Sequence, residues 1–314
     1  MIAARWLRWE TMLAVVLVAE FVLFSFVSPY FLDVNTLSDA TFNFTERALV
    51  ALPLALLIIA GEIDISVAAI IALASVAMGL GAERGVGTAG LLGIGLGTGL
   101  VAGCINGALV TFGRVPSIVA TIGTMTLFRG AAYAVLGDRV LKDYPASFAA
   151  FGQGYAAGPV SIELALFASF ALVFWLFLHK TRWGRAIFAI GANPRASRFA
   201  GLAVDRYRFA LFALTGLFSG LASVLLTSRL GSTRPSIAQG WELEIVSLVI
   251  LGGVSVWGGK GGIVGVVLAA LVFGLITFGL GLMNIPGIVM SIFTGALLII
   301  VVAVPAWLDR HEHC

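Results

Sequence analysis

The residues that could do chemistry are few, and they stand inside or beside apolar runs. Glu62, Asp64 and Ser66 lie in Ala60-Gly-Glu-Ile-Asp-Ile-Ser66, which interrupts an otherwise apolar stretch from Leu49 to Leu80. Two acids and a glycine at that depth require a broken helix, a protein-lined cavity or a short turn. Asp64 and Ser66 also suit a helix start, where a side-chain oxygen accepts from free backbone N–H groups. Capping accounts for one acid and not both, so a part in a gate stays open. Asn106 stands beside a glycine stripe, where it either bonds across a helix interface or lines a path. Gln239, Trp241, Glu242 and Glu244 adjoin another apolar run. Hydrogen-bonding groups beside an aromatic face suit a hydroxylated solute, and equally an interfacial anchor with helix-start acids.

None of these forms a catalytic constellation. Gly259-Lys260 invites comparison with the phosphate-binding loop, but Val254 stands where that loop needs its first glycine and Gly261 where it needs Ser or Thr. The sequence contains neither His-Glu-x-x-His nor Gly-x-Ser-x-Gly, and His311-Glu-His-Cys314 reads as a wetted tail. Cys104 and Cys314 have no zinc-ligand spacing. The expectation is a chain that binds no cofactor or metal and is not itself an enzyme.

The elements that position these residues follow from composition. Of 314 residues, 60% are hydrophobic and 11% charged, with a mean hydropathy of +1.05, which leaves too little polar surface for a soluble globule. The chain belongs in a lipid bilayer, as one all-α polytopic domain over residues 1–314. About ten spans are expected, near 11–28, 47–61, 65–81, 86–112, 117–136, 161–179, 209–228, 243–257, 261–283 and 286–305. An even number puts both termini on one side. With the N-terminus inside, the interior holds Arg5, Arg8, Arg114, Lys180, Arg182, Arg185, Arg195, Arg198, Arg206, Arg208, Lys260 and Arg310. The exterior holds only Arg47, Arg84, Arg129, Arg139, Lys142, Arg229 and Arg234, so both termini are expected in the cytoplasm. The net charge of +3 is split among short loops, which makes nucleic acid an unexpected partner.

Gly95, Gly99, Gly103 and Gly107 recur every fourth residue and make a smooth stripe for a second helix, as do Gly261, Gly265 and Ala269 on a smaller scale. The segment Gly137 to Ser161 reads as a solvated outer loop that could cover the outer mouth or receive a soluble partner. Residues 180–208 carry seven of the cationic side chains and form the largest polar island, a docking face without an engine. From the residues alone, ATP-driven import, secondary transport and a passive channel all stay open.

Four ordered stretches then carry a resemblance: Gly61-Glu-Ile-Asp-Ile-Ser-Val-Ala68, Pro116-Ser-Ile-Val-Ala-Thr-Ile-Gly-Thr-Met125 with Phe128-Arg-Gly130, Gly184 to Leu202, and Gly240-Trp-Glu-Leu-Glu-Ile-Val246 with Leu251 to Gly262. The chain resembles the permease subunits of bacterial carbohydrate ATP-binding cassette importers of the ribose, rhamnose and autoinducer-2 type, over about Phe31 to Pro305. The rhamnose permeases look most similar, with autoinducer-2 permeases close behind. Glu62 and Ala68 replace glycines of the family pattern.

The resemblance implies the ABC importer permease fold and a place in the bacterial inner membrane. It implies three partners: a cytoplasmic ABC ATPase that consumes the ATP, a second permease subunit that is a copy or a paralogue, and a periplasmic sugar-binding protein. It assigns ATPase coupling to Gly184, Arg185, Gly191, Asn193, Pro194, Arg195, Ala196 and Gly201; a translocation path or gate is expected at Asp64, Ser66, Asn106, Gln239, Trp241, Glu242 and Glu244. Amide substitution of Glu242 or Asp64 is expected to impair transport more than Glu163→Gln.

Overall fold

A computed structural model describes residues 2–286 together with 289, 290, 292, 295 and 296. The chain is helical almost throughout. The helices are α1 (Ile2–Val27), α2 (Val34–Thr41), α3 (Thr45–Ile59), α4 (Val67–Glu83), α5 (Thr88–Thr111), α6 (Ser117–Leu136), α7 (Ala150–Gln153), α8 (Ile162–Lys180), α9 (Arg182–Ala192), α10 (Pro194–Phe199), α11 (Val204–Leu230), α12 (Trp241–Leu251) and α13 (Ile263–Leu282).

Beyond Arg47, helix α3 is apolar on all sides, so no face of that stretch can meet water, and every residue of α3 except Arg47 is buried. It forms the axis of the bundle, with α8, α9, α11, α12 and α13 packed around it. Helix α1 lies along α13, and its Trp9 indole N–H donates to the Leu251 carbonyl at the end of α12 at 2.9 Å.

The glycine stripe of α5 meets α11, whose Gly216 and Gly220 continue the smooth surface. A Cβ at Gly99 would sit 2.3 Å from the Gly216 carbonyl oxygen, and one at Gly103 would sit 2.4 Å from that of Phe212. Backbone therefore touches backbone along this pair. The smaller stripe behaves alike: a Cβ at Gly265 would come within 2.0 Å of the Gly252 carbonyl oxygen, which brings α13 against the end of α12.

Helix lengths among the described residues bear out a bundle of several spans but not a count of ten crossings. Nine expected spans have a helix at their place, and most of the tenth, 286–305, lies outside the described residues, as does the tail His311–Cys314. Six described helices are long and apolar enough to cross a membrane, or seven if α2 and α3, bent by 47°, count as one span. Helix α12 has 11 residues, about 16 Å at 1.5 Å each against a hydrocarbon core of about 30 Å. The span expected over 243–257 had counted the glycine-rich turn after Leu251 as helix.

The segment 137–161 also differs from a solvated loop. It contains a short 3-10 turn (Ala146–Phe148), α7 and a two-stranded hairpin of β1 (Tyr155–Ala157) and β2 (Val160–Ser161). Phe148 is buried and stacks on Tyr144 at 5.1 Å between ring centroids. Leu141 pairs with Thr233, joining this segment to the polar stretch before α12. The Tyr144 hydroxyl lies 2.6 Å from that of Thr233, which itself meets Ser75 at 2.7 Å, and burial pushes the Tyr144 phenol up to about 12.

Candidate functional site

The chemistry-bearing residues gather at the two ends of α3. At its C-terminal end, Ala60 and Gly61 turn the chain, with Gly61 in a left-handed conformation (φ +84°) that costs glycine nothing. The chain then runs irregularly to α4, and Asp64 organises that break. Its Oδ1 accepts from the Ser66 backbone N–H at 2.8 Å and from the Ser66 hydroxyl at 2.7 Å. Asn106 of α5 donates from Nδ2 to the Ser66 hydroxyl at 2.7 Å and to Asp64 Oδ2 at 3.2 Å. All three residues are fully buried, and the Asn106 amide oxygen has no hydrogen-bond partner among the described residues. The structure thus brings three of the expected gate residues into one knot that ties the break to the glycine-striped helix.

Glu62, the acid that capping left unexplained, pairs with Arg208 of α11 at 2.9 Å. That contact sets charges side by side without an aligned hydrogen bond from the Arg208 Nε–H. The signal was present in the sequence: a carboxylate in place of a family glycine needs a cation, and Arg208 closes the basic island.

Helices α9 and α10 stand at this same end. The Thr181 hydroxyl accepts from the Gly184 N–H at 3.2 Å and starts α9, while Asn193 Oδ1 accepts from the Ala196 N–H at 3.0 Å and starts α10, with Pro194 at its first position. Helix α9 is amphipathic: Gly184, Ala186, Ile187 and Ile190 are buried, whereas Arg182 and Arg185 are exposed. Its buried face ends at Gly191, where a Cβ would lie 1.8 Å from the Ile59 carbonyl oxygen and 2.5 Å from the Gly259 nitrogen. The Gly259 N–H donates to that Ile59 carbonyl at 2.8 Å. Coupling segment, α3 terminus and the glycine turn before α13 therefore meet backbone to backbone. Gly201 differs. It has a left-handed backbone (φ +85°) and open space around it. Arg195, Ala196, Arg198 and Phe199 of α10 are exposed, Phe199 at 93%.

At the opposite end of α3, Arg47 approaches Glu244 at 3.2 Å and lies over the Trp241 ring at 4.4 Å. Glu242 Oε2 accepts from the Gly240 N–H at 3.2 Å, so it serves the start of its own helix. Gln239 is exposed, and Arg129 of α6 donates to the Pro235 and Ile237 carbonyls, each at 2.8 Å. The four residues expected here lie in one segment, but their partners come from α3 and α6, which the sequence alone did not connect. Behind them Arg229 binds Glu46 at 2.7 Å. Glu163 is fully buried there, with no hydrogen bond to either oxygen, and interacts electrostatically with Glu46 and Arg229. It is therefore an interior acid and a poor comparator for Glu242. The two sets of gate residues stand at opposite ends of α3 and do not form one site. Among the described residues, no three His, Cys, Asp or Glu side chains are grouped to hold a metal.

Many of the basic residues fall into two groups at the two ends of the bundle. Arg114, the island and Lys260 stand at the α9 end, and Arg47, Arg129, Arg139 and Arg229 stand toward the other.

The described helices thus form a bundle with several spans of membrane-crossing length and a basic helical pair docked on the end of its central helix. Residues 37–302 match the family described as the permease component of the branched-chain amino acid transport system, and the chain belongs to that family. Its relatives include autoinducer 2 import system permease proteins LsrD. That of Enterobacter sp. (strain 638) is 37% identical over 302 residues, covering 94% of this chain and 92% of its own. That of Photorhabdus temperata is 36% identical, covering 97% and 93%. That of Escherichia coli (strain K12) is 38% identical, covering 94% and 91%. No solved structure matches the chain.

Proposed function

We propose that this chain is a permease subunit of an ATP-driven importer of the bacterial inner membrane, with autoinducer 2 as its cargo. Full-length relatives bearing that name favour autoinducer 2 over rhamnose, which the sequence motifs had placed first. The mechanical reading rests on one observation: α9 presses glycine backbone onto the end of α3 while α10 turns Arg195, Arg198 and Phe199 outward. An ATPase bound to that outward face on the cytoplasmic side would move α9 as a rigid body. With no side chain between them, α9 would carry the end of α3 and the 255–262 turn along.

The Asp64, Ser66 and Asn106 knot and the Arg47, Glu244 and Trp241 cluster then act as the inner and outer ends of the path. Each must make different contacts in the inward and outward states for ATP to drive transport. The chain supplies no hydrolytic site of its own in this scheme. A second permease subunit completes the pore and a periplasmic binding protein delivers the solute. The cargo is tested in vesicles carrying the complete importer. Labelled autoinducer 2 should accumulate and resist competition by a large excess of rhamnose, whereas efficient competition would restore rhamnose as the cargo.

A further inference from the structure

A cavity of about 670 Å³ opens at the α9 end, between the turn joining α5 to α6, the end of α10 and the start of α11. Its walls carry three guanidinium groups, Arg114, Arg198 and Arg208, against two carboxylates, Glu62 and Asp205. Both carboxylates are taken: Glu62 pairs with Arg208 at 2.9 Å and Asp205 with Arg198 at 2.6 Å. Arg114 is left with no ion pair or hydrogen bond from its side chain among the described residues, so the cavity holds one uncompensated cation. The Ser117 hydroxyl, also on the wall, accepts weakly from the Ile63 N–H at 3.3 Å and keeps its own proton to donate.

The backbone of Arg114 gives an independent sign. It sits just past the end of α5 with φ +54°, where helices ordinarily place glycine, and the Val115 N–H closing back on the Leu109 carbonyl at 3.1 Å fixes it there. A left-handed non-glycine residue costs roughly 1–2 kcal/mol. Glycine would relieve that cost but remove the side chain from the cavity. The outer surface of the same wall is apolar and exposed, with Leu109 and Phe112 on α5 and Ile118 and Val119 on α6. An unpaired arginine at the foot of an apolar helical wall meets both halves of a lipid, phosphate and acyl chain.

We propose that this cavity binds the phosphate of an anionic membrane lipid headgroup, with Arg114 as its principal partner, Ser117 as a second donor and the acyl chains along α5 and α6. Nothing in this reading depends on the cargo or on the ATPase.

The test uses the full chain in detergent, titrated with phosphatidylglycerol or phosphatidylcholine and followed by native mass spectrometry, with thermal unfolding measured in parallel. Wild type should hold phosphatidylglycerol more tightly than phosphatidylcholine. Arg114→Gly should weaken phosphatidylglycerol by about tenfold, the size expected for one charge-assisted hydrogen bond, while unfolding at the same or a higher temperature. Arg206→Gln, an exposed arginine of the island outside the cavity, should bind as wild type does. Unchanged binding in Arg114→Gly, or equal affinity for the two lipids, would overturn the proposal. Displacement of phosphatidylglycerol by an equal concentration of inorganic phosphate would also overturn it, by giving the site to a soluble anion.

Discussion

Gly191→Ala tests the junction on which coupling depends. The added Cβ would stand 1.8 Å from the Ile59 carbonyl oxygen, whereas real contacts essentially never fall below 3.0 Å. The oxygen or α9 must therefore move by at least 1.2 Å, the difference of those two distances. The atom in the way is backbone and cannot swing aside as a side chain would. It also accepts the Gly259 N–H at 2.8 Å, so the shift strains a second connection. Overpacking of this kind costs about 1–3 kcal/mol, and loss of the hydrogen bond adds about 1 kcal/mol. Gly201→Ala meets no atom within 4 Å and pays only for its left-handed backbone, about 1 kcal/mol. Tryptophan fluorescence during thermal unfolding should rank Gly191→Ala well below Gly201→Ala. Solute moved per ATP hydrolysed by the assembled importer should fall in the same order. A Gly191→Ala protein that unfolds and transports like wild type would refute the backbone junction.

Further substitutions test the packing and the buried charges. Leucine at Gly99 must displace the Gly216 carbonyl and the Gly220 backbone, found 2.3 and 2.7 Å from an added Cβ, so it should abolish the folded yield on size exclusion, while leucine at Gly97, where a Cβ meets nothing, should not. Glu46→Gln strips Arg229 of its partner and should cost about 3 kcal/mol in unfolding free energy, the low end for a buried pair because Arg229 keeps 22% of its side chain exposed. Glu163→Gln should leave stability unchanged or raise it, since neither Glu163 oxygen has a hydrogen bond to lose among the described residues and the amide removes a buried acid beside Glu46. A larger loss for Glu163→Gln than for Glu46→Gln would contradict this assignment of the pair.

Local features of the fold were legible in the sequence and tertiary ones were not. The every-fourth glycines of 95–107 announce a close helix, and α5 indeed meets α11, but nothing in their spacing says that Gly216 and Gly220 are the answering surface. The span expected at 117–136 coincides with α6, which starts directly after Pro116. Asp64 and Ser66 are two apart and their turn could be read directly, whereas Asn106 reaches them from 40 residues away. The partners Glu62 with Arg208, Arg47 with Glu244 and Glu46 with Arg229 are farther apart still in sequence, so charge type could flag each residue without pairing it. Helix α12 was overextended because hydropathy does not distinguish an apolar helix from the apolar residues of a glycine turn.

The most direct test of the permease reading is uptake of labelled autoinducer 2 into proteoliposomes holding this chain and a second permease subunit, with the binding protein outside. The ATPase and ATP are either present or withheld. The account predicts accumulation only when ATP and every subunit are present. Accumulation by this chain alone, driven by an ion gradient, would contradict it and make the protein a secondary transporter.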